Sequence, residues 1–216
     1  MIIDEVLSGF GRVGNWFAIQ NHGVEPDMIA MGKGLTSGYM PMGGLIVSDE
    51  IAEYFEDHTL RLGSTTAAHA LACAAALKCT EIYETDNLFE NAITMGKYLE
   101  SQLEKMKEKH PSIGDVRVTG LLGGIELVKN QKTKEPLCPW NGAASDMSVM
   151  NKIVARLKEL GMFTFIRWNW IYATPPITIN QQQIDESLAI LSEALKIADA
   201  CCDEEVQEKH KDLTYS

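Results

Sequence analysis

A lysine between two glycines is the feature of this sequence best suited to covalent chemistry. Lys33 stands between Gly32 and Gly34, directly after the short apolar stretch 28–31. Glycines on both sides let a backbone approach a ligand closely and leave the amine unobstructed. A lysine amine can form a Schiff base with a carbonyl compound. A lone lysine of this kind is also typical of a solvated loop, so the groups that accompany it decide its meaning.

Three further groups could act together with this lysine. Asp4 follows residues 1–3, which read as the end of a buried strand, and ligands of open α/β sheets bind outside the carboxyl ends of strands. The hydroxyl cluster 64–66, with Thr65 at its centre, precedes a predicted helix, whose N-terminus attracts anions. Arg167, at the end of another predicted strand, can bind a carboxylate or a sulfonate through two parallel hydrogen bonds.

These groups match the needs of pyridoxal 5′-phosphate chemistry. Lys33 can supply the amine that forms a Schiff base with the aldehyde of the cofactor. Asp4 can keep the pyridine nitrogen protonated so that the ring accepts electrons, and an anion-binding turn can hold the phosphate. None of these residues is specific alone, because an acid that ends a strand often caps a helix. The combination predicts a pyridoxal-phosphate site.

Two long motifs make the sequence similar to a known family. Residues 4–14 (DEVLSGFGRVG), and Pro26-Asp27 followed by residues 31–43 (MGKGLTSGYMPMG), resemble the signature of class III, pyridoxal-phosphate-dependent aminotransferases. The order of the two motifs and the spacing of Asp4 and Lys33 also fit the family. Two such motifs together are far more specific than either residue alone.

The resemblance implies a role for each of four residues. Lys33 would form the Schiff base and carry the proton of the 1,3-shift. Asp4 would pair with the pyridinium nitrogen, and Val6 would pack on the ring face opposite the substrate. Thr65 would reach the phosphate of the cofactor bound in the partner subunit, which implies a homodimer with shared active sites.

Other residues bear on the substrate. Residues 14–17 (GNWF) and 38–41 (GYMP) resemble the branch of the family that uses ω-amino acids, taurine or amines as donors and pyruvate as acceptor. Arg167 is the candidate for binding the acidic end of either substrate, with a structural salt bridge as the alternative. Leu7 stands where many members have a glutamine, and it cannot donate a hydrogen bond. A 4-aminobutyrate aminotransferase or an aminomutase of the same family remains an alternative.

The elements that position these residues predict an α/β protein. Short apolar stretches alternate with helical ones over residues 1–109, which indicates part of a large domain with a parallel-type sheet. Residues 110–216 predict a small α+β domain that contains paired strands near Gly120, with a charged tail that we expect to fray. The resemblance implies the fold of type I pyridoxal-phosphate transferases for both parts.

The resemblance covers the C-terminal half of the family. We therefore expect the family's phosphate-gripping turn and its ring-stacking aromatic residue to lie outside this sequence. The alternative of a different class is a truncated, non-catalytic piece that serves as an interaction module.

Composition narrows the classes of partner. The 216 residues include 19 Lys and Arg against 30 Asp and Glu, for a net charge of −11. That balance disfavours a nucleic acid or an anionic membrane surface as the main partner. The five cysteines form no CxxC motif, so neither a disulfide framework nor a zinc site is expected. No apolar run is long enough for a membrane helix, the N-terminus lacks the features of a signal peptide, and a cytoplasmic location is expected.

Overall fold

The structure, a computed structural model of the protein, describes residues 1–202, and the charged tail lies outside the described residues. The chain divides into two compact units, Met1–Ile93 and Thr94–Ser216. The predicted α/β class is confirmed, with strands and helices in both units. The predicted domain boundary at residue 109 stays a prediction. None of the helices within residues 1–202 combines the length and the apolar character that crossing a bilayer requires.

The first unit contains a mixed three-stranded sheet in the order β1-β2-β3. Its strands are β1 (Ile2–Asp4), β2 (Met28–Met31) and β3 (Gly44–Val47). The apolar runs 28–31 and 44–47 predict strands at the last two of these positions, and both are confirmed. β1 and β2 are parallel, as expected, whereas β3 runs antiparallel to β2.

The segment between β1 and β2, residues 5–27, leaves the sheet and returns to it. Its start is fastened by a hydrogen bond from Glu5 N to Ala30 O (2.8 Å), and its end is held by bonds to the backbone of Met1. A short 3₁₀ helix closes on Gly23, which has a φ of +63°. The apolar side chains of residues 16, 17 and 19 predict a short helix over residues 15–21. That prediction is wrong in its first half, since the chain bends there before the 3₁₀ turn begins.

Three helices follow the first sheet: α1 (Asp49–Asp57), α2 (Ala70–Thr85) and α3 (Leu88–Lys109). The residue type of Asp86 and its position before a long amphipathic stretch predict that it caps the start of α3, and this prediction is wrong. Asp86 instead ends α2, because its N–H donates to Ile82 O (3.0 Å), and Asn87 then takes a φ of +53°.

The second unit contains an antiparallel sheet in the order β4-β5-β8-β7, with β6 paired to β5. Its elements are β4 (Ile113–Thr119), β5 (Leu122–Asn130), β6 (Glu135–Pro136), α4 (Ser148–Glu159), β7 (Ile166–Arg167), β8 (Trp170–Ala173) and α5 (Gln181–Asp199). The predicted hairpin near Gly120 is confirmed. The apolar stretches 162–167 and 169–174 predict two longer strands; the observed β7 and β8 are shorter, and Trp168 adopts a φ of +51° in the turn between them. The largest fully buried side chains of this unit are apolar and include Ile125, Ile153, Leu157, Ile171, Ile184, Leu191 and Leu195.

A buried polar network ties β4 to α5 within this unit. His110 Nδ1 lies 2.6 Å from Asp199 Oδ2, and His110 Nε2 lies 2.7 Å from Ser192 Oγ. The other carboxylate oxygen of Asp199 accepts from the hydroxyl of Ser112 (2.6 Å) and from its N–H (3.2 Å). His110 is 6% exposed and Ser112 is fully buried, so each of these groups depends on the others for its hydrogen bonds.

Candidate active site

The acid and the lysine lie at the same edge of the first sheet. In the parallel pairing of β1 with β2, Asp4 stands opposite Ala30, and Lys33 follows three positions further along. The carboxyl ends of both strands therefore meet at one edge, where strands are about 4.8 Å apart. Such an edge is where open α/β sheets bind their ligands.

Lys33 sits in a strained turn that directs its side chain to solvent. Its φ is +38°, a left-handed conformation that costs a residue other than glycine about 1–3 kcal/mol. The side chain of Lys33 is exposed, and within residues 1–202 its amine makes no hydrogen bond or ion pair. A strained turn that leaves an amine free is typical of a functional position.

Val6 lies beside the same turn. A Cβ built on Gly32 would stand 3.6 Å from Val6 Cγ1, which is ordinary van der Waals contact. The N–H of Val6 donates to Asp4 Oδ1 (2.9 Å), so the carboxylate is held at the end of its strand. In the part of the chain that the structure describes, Asp4 Oδ2 has no hydrogen-bond partner. The structure thus brings Asp4, Val6 and Lys33 together.

Glu5, next to Asp4, has a structural role. Its side chain is 1% exposed, with Oε1 accepting from Ile19 N (2.8 Å) and Oε2 accepting from Ser8 Oγ (2.5 Å). Both oxygens therefore accept hydrogen bonds from the chain between β1 and β2. Asp4 is the carboxylate of this pair that remains available to a ligand.

An aromatic cluster that contains Phe10 and Tyr83 packs against the turn that carries Lys33. Phe10 lies against Gly34 and packs near Tyr83, with ring centroids 6.3 Å apart. The Tyr83 hydroxyl donates to Gly34 O (2.6 Å) and also lies 2.8 Å from Ser37 Oγ. Because the single hydroxyl proton of Tyr83 is used on the carbonyl, Ser37 must be the donor in the second bond. Sequence reasoning missed Tyr83, whose one signal was a bulky residue in an otherwise alanine-rich helix.

Partial burial shifts the pKa values of two ionisable side chains at this cluster, Tyr83 and Arg12. Burial raises the pKa of the Tyr83 hydroxyl above its ordinary value, and the Ser37 hydrogen bond and nearby Arg12 offset part of that rise. Burial also lowers the pKa of the Arg12 guanidinium, with Tyr83 acting in the opposite direction. Arg12 stays charged because its ordinary pKa is far above neutrality. Its electrostatic interaction with Tyr83 places it at the cluster next to the turn, which favours a structural role.

The other two predicted site residues lie apart from these contacts. Thr65 is exposed in a turn closed by a hydrogen bond from Ala67 N to Ser64 O (3.0 Å), just before α2. No hydrogen bond joins Thr65 to Asp4 or Lys33 among residues 1–202. Arg167 belongs to the second unit.

Arg167 ends a strand, as predicted, and it is exposed. Its guanidinium lies over the ring of Trp168, 4.3 Å from the centroid, and makes no ion pair within residues 1–202. The turn behind it is fixed by Asn169, whose buried amide donates to Leu127 O (3.1 Å). The structural salt bridge considered for Arg167 is thus not formed in the described part of the chain.

A family model and similar curated proteins all identify the chain with the same family. A family model described as aminotransferase class-III matches residues 1–195. The chain is 37% identical to the adenosylmethionine-8-amino-7-oxononanoate aminotransferase of Methanocaldococcus jannaschii, over 92% of this chain and 43% of that protein. It is 36% identical to the taurine–pyruvate aminotransferase of Bilophila wadsworthia, over 90% of this chain and 44% of that one.

The solved structures that this chain resembles are also transaminases. The chain superposes with a TM-score of 0.89 on the taurine:2-oxoglutarate aminotransferase of Bifidobacterium kashiwanohense, solved in complex with PLP and glutamate. The two are 41% identical, over 93% of this chain and 44% of the other. An S-selective transaminase from Arthrobacter gives a TM-score of 0.86 at 36% identity, with 92% and 44% covered. The chain thus spans less than half the length of the relatives it matches.

Proposed function

Since this chain belongs to the class-III aminotransferases, we propose that it carries the acid and lysine of a pyridoxal-phosphate-dependent aminotransferase active site. One observation carries the proposal: parallel pairing of β1 and β2 brings Asp4 and Lys33 to one edge of the sheet. A carboxylate and a free amine at such an edge are two of the groups that this cofactor needs from a protein.

The residues present fit pyridoxal 5′-phosphate. Lys33 has an unpaired, exposed amine, Asp4 has one carboxylate oxygen without a partner among residues 1–202, and Val6 offers an apolar surface next to Gly32. When bound, the cofactor supplies an aldehyde carbon for amines and a ring that accepts electrons. Asp4 would hold the proton on the ring nitrogen, and Val6 would pack against the ring.

Lys33 would act as acid and base for the amino transfer. Its amine would take the proton from the substrate carbon that carries the amino group and deliver it to the carbon of the bound cofactor that came from the aldehyde, which requires that the side chain reach both positions. Two features support this role: the amine extends from a short, strained turn, and no carboxylate within residues 1–202 pairs with it. General acid–base catalysis by a positioned side chain contributes about 10²–10⁴-fold to a rate.

For the substrates, we propose an ω-amino acid, taurine or amine donor and pyruvate as acceptor. The similarity to a taurine–pyruvate aminotransferase supports this choice, and the similarity to a taurine:2-oxoglutarate aminotransferase supports the donor more than the acceptor. Arg167 would bind the acid group, supported by its exposure and lack of an ion pair. A 4-aminobutyrate aminotransferase or an aminomutase remains the alternative within the family.

The assembly and location are also proposals. Thr65 would reach the cofactor phosphate of the partner subunit in a homodimer, which its exposure permits. The five cysteines are free, which supports the reducing cytoplasm as the compartment.

The test uses the 216-residue chain itself. We expect pyridoxal phosphate to give a visible absorption band and, after borohydride reduction, a covalent adduct on Lys33 located by mass spectrometry. Lys33→Ala should abolish both. Lys78→Ala, which removes an exposed lysine of the same unit, should change neither. Absence of a Lys33 adduct in the unmodified chain would favour the alternative of a non-catalytic interaction module.

A further inference from the structure

A side chain from a different element, helix α2, forms hydrogen bonds with the turn that carries Lys33. Tyr83, near the end of α2, is 5% exposed and donates its hydroxyl proton to Gly34 O, the carbonyl next to Lys33 along the chain. The same hydroxyl oxygen accepts from Ser37, at the far end of the turn. Tyr83 therefore binds the turn on both sides of its bend.

The turn needs such support. Lys33 and Ser37 both have positive φ values, +38° and +49°, in a segment of five residues. Left-handed conformations persist outside glycine only when surrounding contacts enforce them. The internal bonds of the turn include Thr36 N to Lys33 O and Ser37 N to Gly34 O, both long at 3.3 Å. The bond from Tyr83 to Gly34 O, at 2.6 Å, is much shorter than either.

We propose that Tyr83 is a positioning residue for the reaction, holding the turn in the conformation that presents the Lys33 amine to the cofactor. The proposal rests on the proposed function. The ring of Tyr83 is fixed between Phe10 and Phe89, with centroids 6.3 and 6.2 Å away, so the hydroxyl has little freedom to move with the turn. Loss of the hydroxyl alone should thus leave the ring in place and release only the turn.

The test compares Tyr83→Phe with the unmodified chain in two measurements. Hydrogen exchange should become about threefold to tenfold faster at the amides of residues 34–39, the effect of losing one hydrogen bond. Formation of the borohydride-reduced pyridoxal-phosphate adduct on Lys33 should slow by a similar factor. Acetylation of Lys33 by a small reagent should stay unchanged, because it needs no fixed direction of approach.

Two other variants separate positioning from general stability. Ser37→Ala removes one of the two bonds and should give a smaller change in the same direction. Tyr98→Phe is the matched control, because the Tyr98 hydroxyl donates to Asp185 (2.7 Å) in the second unit. It should leave exchange in the turn and the Lys33 adduct unchanged.

The failures can be told apart. Adduct formation in Tyr83→Phe at the unmodified rate would overturn the role of Tyr83 and leave the proposed function standing. A slower rate of adduct formation in Tyr83→Phe, accompanied by faster hydrogen exchange throughout residues 1–93, would also overturn the role of Tyr83, since general destabilisation gives that result. Absence of a Lys33 adduct in the unmodified chain would overturn both proposals.

Discussion

Phe10 lies directly against Gly34: a Cβ built on Gly34 would stand 2.8 Å from the Cβ of Phe10. The two residues belong to different signature motifs, residues 4–14 and residues 26–43. The contact shows that these motifs form one packed unit, in which the first motif supports the turn that carries Lys33.

Gly34→Ala should therefore destabilise the first unit. The added methyl overlaps Phe10, and overpacking of this kind costs about 1–3 kcal/mol of unfolding free energy. Urea denaturation of the chain measures this free energy. Gly63→Ala is the control, because a Cβ there meets nothing within 4 Å and should leave stability nearly unchanged. Equal stability of the two variants would contradict the contact.

Asp4→Asn should separate binding from catalysis. The amide oxygen can still accept from Val6 N, so the fold and the Lys33 adduct should remain, but a neutral amide cannot hold a proton on the ring nitrogen. We expect the transamination rate of the whole protein to fall about a hundredfold, as when one electrostatic contact to the reacting group is removed. Asp49→Asn, at the exposed start of α1, should not change it. An unaltered rate in Asp4→Asn would remove Asp4 from the site.

Arg167→Ala should raise the KM for acidic donors in the whole protein and spare the KM for simple amines. The reason is that only the acidic donors offer a group for the guanidinium to bind. Arg117→Ala is a matched control, since Arg117 also lies over a tryptophan ring, that of Trp170 at 5.0 Å, but pairs with Asp115 at 2.8 Å. Steady-state kinetics with taurine and a simple amine gives the comparison. If the KM values of Arg167→Ala for both donors equal those of the unmodified enzyme, Arg167 has no part in donor selectivity.

Asp199→Ala should destabilise the second unit strongly. It removes one of the two partners of His110 and the single oxygen that accepts from both the hydroxyl and the N–H of Ser112, which leaves buried polar groups without hydrogen bonds and costs about 2–4 kcal/mol. Thermal and urea unfolding monitor the loss. Glu193→Gln, an exposed residue of the same helix that pairs with Lys196, should have little effect. Similar losses in the two variants would mean that the network contributes little.

Stability should decline at alkaline pH through Tyr83. Burial raises the pKa of its hydroxyl in the folded chain, so the unfolded chain releases this proton first as the pH rises. The contribution of Tyr83 is complete below the unfolded pKa of about 10 and is lost above it. Urea unfolding across that range should show a weaker decline in Tyr83→Phe than in the unmodified chain. Identical pH profiles would show that Tyr83 ionises as easily in the folded state as in the unfolded one.

Local signals in the sequence predicted much of this structure. The strands at 28–31 and 44–47 are short apolar runs bounded by proline or glycine, and the hairpin near Gly120 has a clear turn residue. The meeting of Asp4 with Lys33 was likewise predictable, because it follows from parallel pairing of two strands.

Contacts between distant residues defeated prediction. The first half of the predicted helix at residues 15–21 is bent; there Trp16 packs on Phe89, with ring centroids 4.7 Å apart, and no local sequence pattern records that contact. Asp86 has the residue type of an N-cap, yet the positive φ of Asn87 assigns it to the preceding helix. Tyr83 acts on a carbonyl 49 positions away, which spacing along the chain cannot reveal.

The excursion between β1 and β2 has a consequence for protein engineering. Backbone bonds clamp both of its ends to the sheet, whereas its tip at Gly23 is exposed and has no neighbour within 4 Å of a built Cβ. Residues inserted at this tip would extend into solvent without displacing the sheet. Longer loops can therefore be introduced there while the separation between Asp4 and Lys33 stays fixed.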